Sequence, residues 1–137
     1  MATARQRIIG ISDATGVAEA RRAVADLATL AQFDEAVKGE LALAVTEAGS
    51  NVFKHARAGS IAARIIQRGT AFGVEVMAID KGPGIADLDL AMQDGYTSGG
   101  GLGLGLPGAR RLVDEFDIET APSAGTTVTL VKWSRAR

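Results

Sequence analysis

The stretch GGGLGLGLPG, Gly99 to Gly108, decides how the rest of the chain is organised. Six of its ten residues are glycine. As a linker it would divide two folded parts; as a shaped loop it would belong to one. What flanks it favours the loop. Only one short helix and two strands can be read after it, too little for a second core. The full length of 137 residues suits a single domain, residues 1–137.

Downstream, PGARRLVDEF reads as a helix, with Pro107 suited to its first turn. FDIETA and GTTVTLVKW (Gly125–Trp133) read as strands around the turn PSAG. Upstream, residues 81–108 hold nine of the 17 glycines, so this window is mostly loop, and loops of such length are often functional lids. Before it, Ser60–Arg68 and Ala71–Asp80 form two strands, joined as a hairpin by Gly69-Thr70. Two helices precede the hairpin. The first is capped by Asp13 or Thr15 and carries Val17, Val24, Leu27 and Leu30 at roughly helical spacing. The second is capped by Asp34 and carries the stripe Val37, Leu41, Val45, Ala48 and Val52. RQRIIGIS, Arg5–Ser12, opens the chain as a strand. The order β–α–α–β–β–loop–α–β–β predicts an α+β fold: a two-layer sandwich with a mixed, mainly antiparallel sheet and helices on one face. No internal repeat is present.

Composition removes several functions. The chain has no cysteine, which excludes disulfides, thiol nucleophiles and cysteine-zinc sites. His55 is the single histidine, so multi-histidine metal centres are excluded and a Ser/His/Asp hydrolase could only be built around it. With a net charge of −1 there is no broad electrostatic case for nucleic acid or an anionic membrane. The basic clusters Arg5/Arg7, Arg110/Arg111 and Lys132–Arg137 read as solvated surface. The apolar run near the N-terminus is too short for a signal peptide, and no run approaches a membrane span, so a soluble cytoplasmic protein is expected.

Three groups carry candidate chemistry. Glu47, Asn51 and His55 are spaced i, i+4, i+8 on the second helix with Lys54 beside them, on or near one face and close to the core stripe. A carboxylate and a carboxamide placed there would be partly buried, which is costly without hydrogen bonds or a ligand. Spacing alone equally suits a polar rim with a surface Glu–Lys pair. Asp80 ends an apolar strand and begins DKGPGI; its carboxylate is placed to accept from an exocyclic amine, and Gly82 and Gly84 would let backbone approach a flat ring. The same residues also make an ordinary turn. Finally Gly101, Gly103 and Gly105 alternate with Leu102 and Leu104 and lead into a helix, whose free N–H groups suit phosphate. This is neither a P-loop, a Rossmann fingerprint nor a eukaryotic kinase glycine loop.

The order of these motifs is specific. E-x-x-x-N-x-x-K-H on a helix is followed by D-x-G-x-G after a strand, G-x-G-x-G into a helix, and GTT (Gly125–Thr127) at a strand start. From about Glu40 to Val131 the chain resembles the Bergerat-fold ATPase superfamily, which includes gyrase, Hsp90 chaperones, histidine kinases and MutL. Its short length resembles the stand-alone bacterial serine/threonine kinases of the anti-sigma-factor type. The segment MQDGYTSGGGLGLGLPGARRLVDEF is most similar to the stressosome switch-kinase branch.

The resemblance implies ATP and Mg²⁺ as cofactors. Asn51 would ligand Mg²⁺, and Glu47 would orient or deprotonate the attacking hydroxyl. Lys54 and His55 would lie near the phosphates. Asp80 would bind the adenine amine with help from Thr126, while Gly82 and Gly84 would shape the adenine pocket. Gly101, Leu102, Gly103, Leu104 and Gly105 would form the phosphate turn, with Gly99–Gly101 the hinge of a lid starting near Asp87. Implied partners are STAS-domain proteins as substrates, with a downstream phosphatase, cyclase or sigma-factor regulator, and a monomer when free. A sequestering anti-sigma factor with nucleotide as a switch is the alternative, and a plain ATPase the third. A histidine kinase would need a dimerisation helix pair with its own phosphoacceptor, and gyrase- or chaperone-like machines would need transducer domains.

Overall fold

The computed structural model describes residues 5–84, 92, 105–121 and 123–134. Met92 apart, the expected lid and hinge, with Gly101, Leu102, Gly103 and Leu104, lie outside these residues.

The elements run β1 (Gln6–Ile11), α1 (Ala14–Leu30), α2 (Glu35–Ala56), β2 (Gly59–Arg68), β3 (Ala71–Asp80), α3 (Gly105–Leu112), β4 (Glu115–Ala121) and β5 (Gly125–Trp133). The strands form one sheet in the order β1-β2-β3-β5-β4. Every pairing among them is antiparallel. β3 therefore sits at the centre, and its last residue, Asp80, lies opposite Gly59 on one side and Thr126 on the other.

Alternation explains the packing. Val74, Val76 and Ala78 of β3 and Val128 and Leu130 of β5 are buried, and the residues between them are mostly only partly covered. Against this row lie Val17, Ala20, Val24 and Leu27 of α1 and the α2 stripe Val37, Leu41, Val45, Ala48 and Val52, all buried as their spacing predicts. Leu30 departs from expectation and is exposed. At about 100° per residue it falls roughly 140° from Val17 around the helix, and Ala28 and Ala31 take its place in the core.

Local chemistry sets most of the ends. Asp13 Oδ1, not Thr15, accepts the N–H of Gly16 at 3.1 Å and caps α1. Asp34 Oδ1 accepts from Val37 N at 2.9 Å and caps α2. Gly69, at φ 58°, makes the two-residue turn of the β2–β3 hairpin. α3 opens two residues before Pro107 and ends at Leu112, well short of Phe116. The chain is drawn into the sheet instead: Asp114 N donates to Val131 O at 2.9 Å, and Trp133 N donates to Asp114 Oδ2 at 2.7 Å. Among the described residues no helix is long and apolar enough to cross a membrane.

Candidate nucleotide site

Asp80 is the hub of one half of the site. It is buried, and its Oδ1 accepts the N–H of Gly82 at 2.9 Å and of Thr126 at 3.2 Å. Among the described residues no hydrogen bond engages Oδ2. The first bond curls the chain beyond β3; the second locks the end of β3 to the start of β5. A carboxylate held through one oxygen by backbone donors keeps the other for a ligand N–H.

Thr126 is also buried, and its Oγ1 lies 2.9 Å from Thr120 Oγ1. Thr120 Oγ1 in turn donates to Gly125 O at 3.2 Å. A hydroxyl has one proton. Either hydroxyl can be the donor between the two threonines, and Thr126 keeps an acceptor lone pair free in either arrangement. Thr126 can therefore accept from a ligand amine or a water. Thr120 escaped sequence reasoning; the signal lay in the pairing register, which sets it opposite Thr126.

The glycines also serve the protein's own packing. A Cβ on Gly82 would come within 2.6 Å of Ala56 Cβ, and one on Gly84, whose φ is 81°, would overlap the carbonyl oxygen of Ala121. Their missing side chains first make room for protein: Gly82 lets the segment after β3 touch the last turn of α2, and Gly84 lets it touch the end of β4. Ser123 N donates to Pro83 O at 2.9 Å and closes the same contact.

Through Gly82 and Ala56 the Asp80 half meets α2. Glu47 and Asn51 are half-buried on that helix. Neither makes a hydrogen bond or ion pair among the described residues, so the surface Glu47–Lys54 pair that spacing allowed does not form. Lys54 and His55 are exposed on the last turn of α2. Arg57, the next residue but one, closes the helix at φ 69° and ψ −34°, a conformation that favours glycine.

α3 supplies the third part. Gly105 begins it at φ 47°, and Leu106, Pro107, Gly108 and Ala109 are buried, with α3 packed on α2. Gly105 joins the cluster through that packing; among the described residues no hydrogen bond links it to Asn51 or Asp80. Nor, among the described residues, do three acidic or imidazole side chains converge there as a protein-built metal centre. A hard cation placed here would take one oxygen from Asn51 and the rest from phosphate and water, which suits an ion that keeps several waters, such as Mg²⁺.

Comparison with known proteins bears on this arrangement. The model of the histidine kinase-like ATPase domain matches residues 11–132. The serine/threonine-protein kinase RsbT of Bacillus subtilis (strain 168) is 32% identical over 130 residues, covering 95% of this chain and 98% of that one. An anti-sigma F factor of Thermoanaerobacter sp. (strain X514) is 32% identical over 122 residues, covering 83% of this chain and 82% of its own. A solved structure of the mycobacterial sensor histidine kinase MprB superposes with a TM-score of 0.55 at 19% identity, over 96% of this chain and 99% of that one, a likeness of fold.

Proposed function

The chain belongs to the histidine kinase-like ATPase domain family, and on that premise we propose that it is an ATP-dependent serine/threonine protein kinase in a partner-switching module. The observation that carries this reading is the pair Glu47 and Asn51: two half-buried polar side chains, one helical turn apart, left without a protein partner among the described residues. Their polar atoms are not sealed from solvent, so both stand open to a ligand.

In this reading the adenine amine donates to Asp80, directly and through water, with Thr126 as the water's acceptor. Asn51 would hold Mg²⁺, which would supply charge neutralisation at the phosphates. The N–H groups that open α3 face the phosphates, and Lys54 adds positive charge at the rim with His55 beside it. The hydroxyl oxygen of a serine or threonine on the partner attacks the γ-phosphorus. The bond from phosphorus to the bridging oxygen breaks, ADP leaves, and Glu47 takes the hydroxyl proton. Phosphoryl transfer asks little covalent chemistry of a protein; it asks for positioning and charge neutralisation, which these groups offer. The substrates in this proposal are STAS-domain proteins.

A second reading, sequestration of a partner with nucleotide as the switch, is favoured by the similarity to an anti-sigma F factor. Incubation of the purified chain with labelled ATP and candidate STAS-domain proteins separates the two. Label on a partner serine or threonine supports the kinase. Nucleotide-dependent complex formation without label supports sequestration. A chain that binds no ATP by calorimetry sinks both.

A further inference from the structure

Lys132 stands in a basic segment that sequence reasoning assigned to solvated surface. The structure buries it: it is 8% exposed, on the helix-facing side of β5. A buried ammonium is expensive unless paired. Lys132 is paired twice. Its Nζ donates to the carbonyl of Leu112 at 2.6 Å, and lies 3.4 Å from Glu40 Oε1.

Leu112 is the last residue of α3, and Glu40 belongs to α2. One ammonium thus joins the sheet, α2 and the C-terminal end of α3. A cation at a helix C-terminus meets carbonyls that lack intrahelical partners and the negative end of the dipole. α3 has eight residues and is therefore a rod about 12 Å long. Its other end is Gly105. Buried Leu106 and Ala109 hold α3 against α2, Asp114 anchors the chain to β5 two residues beyond the helix, and the bond from Lys132 to the last carbonyl ties the helix end itself to β5.

We propose that Lys132, with Glu40, is a positioning residue for phosphate binding: the latch at Leu112 sets where the N–H groups at Gly105 stand relative to Asn51 on α2. This rests on the nucleotide-site reading above. Adenine recognition is built around Asp80 and Thr126 and is independent of the latch. Loss of the latch therefore weakens the phosphate part of binding and spares the adenosine part.

The test compares ATP and adenosine affinity, by calorimetry, for the wild-type chain, Lys132→Met, Lys132→Arg and Glu40→Gln, with amide hydrogen exchange of residues 105–112 in the nucleotide-free proteins. For Lys132→Met the expected result is about a tenfold loss of ATP affinity, the scale of one charge-assisted hydrogen bond, with adenosine affinity unchanged. Exchange in α3 should be faster. Lys132→Arg should restore most of the ATP affinity, and Glu40→Gln should show a smaller loss in the same direction. Equal losses for ATP and adenosine, or no loss, overturn the proposal. If Lys132→Met does not fold, Glu40→Gln decides it: a wild-type ATP-to-adenosine ratio in that variant overturns it. Unchanged exchange in α3 overturns the latch even if nucleotide binds. A wild-type chain that binds neither ligand overturns the site reading, and that failure is distinct because the exchange result still reports on the latch.

Discussion

Asp80 Oδ1 accepts the backbone N–H of Thr126 at 3.2 Å, so the carboxylate at the end of β3 is a structural anchor as well as a candidate ligand group. The two roles use different atoms and separate by substitution. In Asp80→Asn the carboxamide oxygen can still accept from Gly82 and Thr126, while the charge and the second acceptor oxygen are lost. The melting temperature should stay near wild type while ATP affinity falls about tenfold or more. Asp80→Ala should lower both. Calorimetry and thermal melting report the split; an Asp80→Asn protein with full affinity would remove Asp80 from adenine recognition.

Glu47 and Asn51 should fail in different ways. Glu47→Ala is expected to bind Mg-ATP normally and to lose phosphoryl transfer by a factor on the order of 10²–10⁴, the usual scale for a general base. Asn51→Ala should lose the Mg²⁺-dependent part of nucleotide binding. Single-turnover transfer and calorimetry with and without Mg²⁺ measure these. Retained transfer in the first, or unchanged binding in the second, contradicts the assigned role.

Arg57 closes α2 at φ 69°, where an L side chain is strained. Replacing it with glycine relieves the backbone at the price of some chain entropy, and the net expectation for Arg57→Gly is a gain of about 1 kcal/mol. In a domain of this size that raises the melting temperature by about 3–5 °C. A melting temperature at or below wild type would contradict the strain argument.

Glu115 ties the far end of the sheet together. It accepts from Arg68 Nη1 at 2.9 Å and from Trp133 Nε1 at 2.7 Å, and Arg68 lies 4.6 Å from the centre of the Trp133 ring. The Arg68 hydrogen bond, then that of Trp133, holds the Glu115 carboxyl below its ordinary value of 4.5. A depressed folded-state pKa contributes stability that is present above the unfolded value and is lost as pH falls through the folded one. Glu115→Gln should therefore melt lower than wild type at neutral pH, and the gap should close on acidification below pH 4.5. Melting curves between pH 7 and pH 3 check the sign; a gap that widened in acid would reverse it.

Much of this protein is legible residue by residue. The period of Val37, Leu41, Val45, Ala48 and Val52 is a property of one helix, so their burial follows from spacing alone. The caps Asp13 and Asp34, the turn at Gly69 and the span of β5 are equally local. So is the one-turn separation of Glu47 and Asn51, and the place of Asp80 at a strand end. Motif order then supplied the family, which the comparisons show.

Other features depend on segments far apart in the chain. The sequence by itself determined the element order, the core stripes and the identity of the polar groups, because each depends on neighbours a few residues away. Tertiary structure alone decided that the space beside Gly82 belongs to Ala56, and that the hydroxyls of Thr120 and Thr126 meet beside Asp80. It alone took Lys132 out of an apparent surface cluster and set it on Leu112 and Glu40. Such contacts form where strands and helices from distant parts of the chain converge. Burial and hydrogen-bond partners are properties of that convergence, and local spacing carries no trace of it.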